Sequence, residues 1–192
     1  MKIKQILCLL AVVPSLHALS IEGDIGYFRP TSSLMREVYS EAWINFGVNA
    51  SQKIVDRLNV FGALNLMPNW GSSLAGSEST SIFIFPITLG LEWAQPVHES
   101  VELYIGAAPR YYLTWIHDDS SSVPHHQFLN GFGGYVMAGA KFYPRKHFLI
   151  DLDVGYGFRA FGKTQTSPTG AYESYGVNVG GLDVSLGLGY RF

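Results

Sequence analysis

Cysteine is almost absent from this 192-residue sequence; Cys8 is the one residue of its type. A lone thiol excludes an internal disulfide framework and a thiolate metal cluster. Charge is scarce too: Asp, Glu, Lys and Arg make up 15% of the chain, against roughly 25% in an ordinary soluble domain. Basic surplus is lacking, with a formal net charge of −2, so there is no electrostatic footprint for nucleic acid. Beyond the first twenty residues no apolar run approaches the ~18 residues that a membrane-crossing helix needs. No Gly-x-Gly-x-x-Gly precedes a helix, which removes the usual phosphate cradle. What is abundant is apolar and small: 47% hydrophobic residues, 14% aromatics and 21 glycines, with a mean hydropathy of +0.14. The apolarity is therefore spread over many short segments within one domain.

The first 18 residues read as a secretory signal. Lys2 and Lys4 supply a basic start, 6–13 are apolar, and Ser15-Leu-His-Ala18 offers a small residue for cleavage. Cleavage is expected after Ala18, with Ser20 as the alternative, leaving residues 19–192 as the mature domain. Removing Lys2 and Lys4 with the leader takes the formal net charge from −2 to −4. Cys8 goes with the leader, so the mature chain holds no thiol.

The rest of the chain alternates with period two, the signature of strands with one face in an apolar phase. The last segment is the clearest guide. Leu182, Val184, Leu186, Leu188, Tyr190 and Phe192 share one face, and Asp183, Ser185, Gly187, Gly189 and Arg191 share the other. Similar segments are predicted over 21–30, 42–50, 57–67, 81–94, 101–115, 131–143 and 147–161. That makes eight strands. Small residues leave the facing of 131–143 open, and Pro86 predicts a bulge or kink because it removes a ladder donor. The connections alternate in length. Long polar loops are expected over 31–41, 68–80, 116–130 and 162–177, and short turns over 51–56, 95–100 and 144–146. An up-and-down meander with different surroundings at its two ends has this asymmetry.

The polarity of the faces selects the solvent. In a soluble barrel of the lipocalin kind the outer face carries many lysines, glutamates and threonines. Here the non-apolar face is Gly, Ala, Asn, Ser and a few charges, which suits the crowded interior of an eight-stranded barrel. The other face is long, aliphatic and aromatic, with no charge; a charge there at mid-bilayer would cost about 2–4 kcal/mol. The apolar face is therefore assigned to lipid and the polar face to the lumen. Aromatics are expected to form two belts. One holds Tyr27, Trp43, Tyr111, Trp115, Tyr156 and Phe158 near the loops, the other Trp93, Phe142, Phe148, Tyr190 and Phe192 near the turns. The inward charges are expected to form a salt-bridged network filling the lumen. Glu22, Asp24, Glu92, Glu102, Asp151, Asp153, Arg57, Lys141 and Arg191 lie toward the turns, with Arg110, Arg159 and Asp183 higher up. Matching levels predict the pairs Glu22–Arg191, Arg57–Glu92 and Glu102–Lys141.

The ending Leu-Gly-Leu-Gly-Tyr-Arg-Phe192 resembles the last strand of small eight-stranded outer-membrane proteins, the OmpX/Ail and OmpA transmembrane-domain group. The layout from Ile21 to Phe192, with four long loops and three short turns, is similar to theirs. The resemblance implies an antiparallel up-and-down transmembrane barrel in a Gram-negative outer membrane. It implies contact with membrane lipids, lipopolysaccharide among them. It also implies that Tyr190 and Phe192 serve as an insertion signal for the barrel-assembly machinery. The motif is confined to the last strand and shared by many barrels. No loop matches, so the adhesion and complement-resistance roles of some members do not carry over.

Chemistry-bearing side chains concentrate in the third loop: His117, Asp118, Asp119, Ser120, His125 and His126. Such residues can build a nucleophile, base and orienter, or bind a divalent metal through imidazole and carboxylate. Catalysis needs rigid support, and a Ser-rich loop offers none. The His-x-Ser arrangement of lipid A deacylase barrels is also missing. His98 and His147 fall at turns. The reading assigns no catalytic residue, no cofactor and no resident metal. It expects an outer-membrane barrel with a plugged lumen that serves envelope integrity or offers its loops to an external ligand. The alternatives are a lipid A-modifying enzyme, a narrow channel for small solutes, and a secreted soluble barrel for a hydrophobic ligand.

Overall fold

The computed structural model describes residues 19–72, 78–119, 125–166 and 172–192, with the side chains of 160–166 and 172–177 left aside. The leader through Ala18 and the segments 73–77, 120–124 and 167–171 lie outside the described residues.

Eight strands close an antiparallel barrel: β1 (Leu19–Pro30), β2 (Trp43–Val55), β3 (Leu58–Ser72), β4 (Ser79–His98), β5 (Val101–Asp118), β6 (His126–Arg145), β7 (Phe148–Phe158) and β10 (Gly181–Arg191). Each pairs with its chain neighbour, and β10 returns to β1, with Gly23 opposite Leu188 and Ser20 opposite Arg191. The backbone N–H of Phe192 donates to the Leu19 carbonyl at 2.9 Å and completes that seam. Closure leaves the barrel without an edge, the condition a sheet must meet to stand in lipid. No described helix is long and apolar enough to cross a membrane.

Face assignment follows the period-two pattern on every barrel strand. Leu152, Val154 and Leu186 are 55%, 46% and 49% exposed, whereas Glu92, Lys141 and Asp183 are 1–2% exposed. A soluble protein could not leave such a band of aliphatic side chains in water while burying its ions; a bilayer accepts the one and the lumen the other. On β6, Tyr135 and Lys141 face inward and Phe132, Val136 and Phe142 outward, which settles the strand left open by its glycines. The small inward residues make room for rings. A Cβ on Gly139 would meet the Tyr104 hydroxyl at 2.5 Å, and Tyr104 lies directly opposite on β5.

The turns are tighter than expected: Asp56–Arg57, Glu99–Ser100 and Lys146–His147 alone join the hairpins. Arg57 adopts φ 62°, a left-handed conformation costing a non-glycine residue about 1–2 kcal/mol. At the opposite end the expected loops carry structure. Residues 33–39 form a short helix, α1 (Ser33–Tyr39), started by the Ser32 side chain accepting from the Met35 N–H at 3.4 Å. β3, β4, β5 and β6 run on into what the sequence marked as loop, and β8 (Ala160–Thr166) pairs with β9 (Tyr172–Asn178) as a separate hairpin. A tilted strand needs about 9–11 residues to span a bilayer. β4 and β6, at 20 residues each, therefore project well beyond it.

Pro86 produces no bulge. The β4–β5 register runs unshifted through Pro86–Tyr112. On the β3 side the pairing lapses at Phe85 and Pro86 but resumes in the same register. The register shifts lie instead at the turns, beside Val55, His98 and Arg145.

Candidate functional site

The lumen has two layers. Toward the turns sits the charged layer, with six buried carboxylates (Glu22, Asp24, Glu92, Asp151, Asp153, Asp183) and two buried cations (Lys141, Arg110) among the described residues. Lys141 Nζ lies 3.1 Å from both Glu92 oxygens, 4.0 Å from Glu22 Oε1 and 4.6 Å from the Tyr104 ring centre. Asn59 donates to Glu92 Oε1 at 2.8 Å. The Tyr104 hydroxyl donates to Asp151 at 2.9 Å, and Asn49 to Asp24 at 2.7 Å. Further up, Arg110 lies 3.8 Å from Asp183, donates from Nε to Thr88 at 2.8 Å and lies over the Tyr135 ring at 3.3 Å. The Tyr135 hydroxyl donates to Asp183 at 2.8 Å.

The structure brings these residues together but changes three expected pairs. Glu22 sits opposite Gly189 and Arg191 opposite Ser20, so the register holds Glu22 and Arg191 two residues apart; Arg191 lies over the Tyr143 ring instead, at 5.1 Å. Arg57 falls in a turn beyond the ladder, half exposed and 3.7 Å from Asp56, and Asn59 takes the place opposite Glu92. Glu102 is opposite Lys141 as expected. Yet Lys141 reaches over to Glu92, whose own neighbour on β5 is Gly106 and blocks nothing, and Glu102 accepts from the Tyr143 hydroxyl at 3.5 Å. Asp153 lines the central void, and Arg159 lies against Gly131 near the loop end.

The layer toward the loops is apolar, where the sequence predicted charge throughout. Phe28, Trp43, Met67, Ile82, Ile84, Tyr112 and Val179 pack with Met35 and Tyr39 of α1. Trp43, expected in the loop-end belt, is 2% exposed. It points inward against Phe28 and Tyr39 in edge contacts at 5.7 and 5.8 Å, and its indole N–H donates to the Ser40 carbonyl at 3.0 Å. Tyr39 is 3.1 Å from the Thr80 hydroxyl, and burial pushes its phenol above the ordinary range. The signal for this cluster was present: Phe28, Trp43, Ile82, Ile84 and Tyr112 are large residues on the inward parity near the loops. The remaining belt rings do face outward, joined by Trp70, Phe83, Phe128 and Phe132. Two voids remain in the lumen, of about 30 Å³ among Glu22, Asp24, Arg110, Asp151 and Asp153 and about 50 Å³ near Lys53, Arg57 and Arg191. A void needs roughly 10–15 Å³ to hold one water, so each admits only a few.

Outside the plug, His117 and His126 form the last cross-strand pair of β5 and β6. They stack at 4.5 Å with 23° between rings. His117 Nε2 is 3.1 Å from Asp119 Oδ1. Asp118 bonds through its backbone N–H to the His125 carbonyl and Asp119 through its own to the Ser79 carbonyl, both at 3.0 Å. The support that the sequence denied these residues is therefore present. Ser120, the nucleophile candidate, lies outside the described residues.

No protein-family model matches this chain, and no curated protein matches it. Solved structures do. Neisserial surface protein A (NspA) is similar with a TM-score of 0.64 at 17% identity, covering 91% of this chain and 97% of that one. Outer Membrane Protein W of E. coli gives 0.57 at 14% identity, covering 92% and 98%. Ail, the attachment invasion locus protein of Yersinia pestis, solved with the heparin analogue sucrose octasulfate, gives 0.56 at 15%, covering 91% and 97%. At such identities the likeness speaks for architecture alone. The outward apolar band, the inward ions, the edge-free ring and these neighbours agree that the chain has the fold of the small eight-stranded outer-membrane β-barrels.

Proposed function

We propose that the protein stands in the outer membrane of a Gram-negative cell as a closed cylinder and acts through the hairpins it holds outside, not as a pore. The observation that carries this reading is the pair of side-chain layers packed inside the barrel. Salt-bridged side chains fill the turn side, and an apolar cluster capped by α1 fills the loop side. An aqueous pathway would need a continuous polar channel, and Trp43, Met67, Ile82 and Ile84 interrupt it. The external ends of β3 to β6 and the β8–β9 hairpin offer a surface for an external ligand, whereas a purely structural envelope role would need none of that length. Membrane lipids, lipopolysaccharide included, are the proposed partners of the outward face. The barrel-assembly machinery is the proposed partner of the last strand. Tyr190 and Phe192 there are 48% and 54% exposed, in edge contact at 5.0 Å.

Planar-bilayer recording of the refolded barrel tests the closure. The expected result is no sustained conductance, and stepwise single-channel openings at neutral pH would overturn the reading. Whole cells carrying the chain with 160–178 replaced by a short Gly-Ser turn should keep a heat-modifiable barrel but lose surface interactions that the intact chain supports. Phe192→Ala should lower outer-membrane insertion in cells while leaving the purified chain able to fold in detergent.

A further inference from the structure

The His117–His126 pair lies beyond the packed lumen and takes no part in holding the barrel's interior. Their Nδ1 atoms lie 3.1 Å apart, and the His125 carbonyl oxygen is 2.9 Å from His117 Nδ1. Asp119 sits 3.1 Å from the other ring nitrogen of His117. A carboxylate in that position takes the Nε2–H and leaves Nδ1 as the lone-pair nitrogen. In that tautomer three candidate ligand atoms lie close together: His117 Nδ1, His126 Nδ1 and the His125 carbonyl oxygen. Without an ion, one Nδ1–H shared between the rings satisfies the His117–His126 contact; with an ion, all three atoms can serve as ligands.

We infer that this pair is a surface site for a divalent transition metal, with His117 Nδ1 and His126 Nδ1 as ligands and the His125 carbonyl as a third. Ligands at about 2.1 Å from a common ion in a square or octahedral arrangement are roughly 3 Å apart. The observed 3.1 and 2.9 Å fit that spacing. Binding requires the two stacked rings to rotate until both in-plane lone pairs point at one ion. Asp119 supplies the carboxylate–histidine contact that orients a metal-bound imidazole. The His125 ring takes no part, since its Nδ1 is 2.9 Å from the Asp118 carbonyl. The backbone is held by the β5–β6 ladder and by the Asp119 bond to β4, and Phe83, Trp115 and Phe128 wall one side of a groove there. Among the described residues no three His, Cys, Asp or Glu side chains converge. With two imidazoles, a carbonyl and water, the set favours tetragonal Cu(II) or Ni(II) over a closed zinc site.

The test uses the full mature barrel, untagged and folded in detergent, titrated with Cu(II) and followed by electron paramagnetic resonance. One equivalent should bind with hyperfine coupling from two imidazole nitrogens. His117→Ala and His126→Ala should each lower affinity about tenfold or more and remove the two-nitrogen signature, and Asp119→Asn should weaken binding about tenfold. His125→Ala, which keeps its carbonyl, should bind as the parent does, as should His98→Ala and His147→Ala. Heat-modified gel mobility reports folding of each variant, and His126→Gln replaces any alanine variant that fails it. No bound ion in the parent, meaning a pair that only shares a proton, would overturn the inference. So would full binding by His117→Ala and His126→Ala together, or loss of binding in His125→Ala.

Discussion

On the turn side of the lumen, Glu22, Glu92, Lys141 and Asp151 are held by directional contacts of 2.8–4.0 Å to named partners. On the loop side, Phe28, Met67, Ile82 and Ile84 are held by packing, Trp43 by packing and one hydrogen bond to the Ser40 carbonyl, with α1 laid across them. Both layers rest on the same eight strands, but they fail differently. Removing one member of the charged layer strands a partner in a desolvated space. Removing a side chain from the apolar layer leaves a hole whose cost scales with its volume. On the proposed closure, the two layers act as separate barriers across the barrel axis.

The sharpest way to separate the layers is Lys141→Met. It leaves Glu92 and Glu22 without their cation, and the loss is expected to reach about 3–5 kcal/mol. Urea unfolding in lipid vesicles would read it, and adding Glu92→Gln should recover most of the loss. Ile84→Ala, in the apolar layer and fully buried, should cost about 2–4 kcal/mol. Its cost should be the same with or without Glu92→Gln; coupling between the two would show that the layers are one unit. Gly155→Ala is next. Its Cβ would meet the Tyr135 hydroxyl at far less than contact distance, displacing the donor to Asp183, for about 1–3 kcal/mol. The smallest effect is Ser32→Ala, which removes the N-cap of α1 and should cost about 1 kcal/mol. Proteolysis within 31–42 should then quicken before the barrel melts.

Much of this molecule could be read from its residues. Alternation at Phe148 to Phe158, or Leu182 to Phe192, depends on nothing but the two-residue repeat of a strand, so the direction of Leu152 or Asp153 followed at once. The charged lumen residues were legible for the same reason. Their partners were not. Equal height on adjacent strands suggested Glu22 with Arg191, yet a two-residue offset in register separates them. Lys141 is long enough to leave the residue opposite it and reach another strand. The apolar layer is not legible from ring chemistry, which makes Trp43 a fit for a membrane interface, although its parity points inward. The strand position of His117 and His126 is not legible either, because polarity and serine content do not reveal that a ladder continues above the bilayer.

What the sequence determined by itself was the phase and number of the barrel strands and the side that meets lipid, because these follow from a local period and from the cost of a charge in hydrocarbon. Tertiary structure alone decided which ions meet, that a seven-residue helix packs on the apolar cluster, and that two histidines face each other across a hairpin. Those outcomes depend on the stagger between strands and on contacts between residues far apart in the chain, and neither is encoded in any single segment.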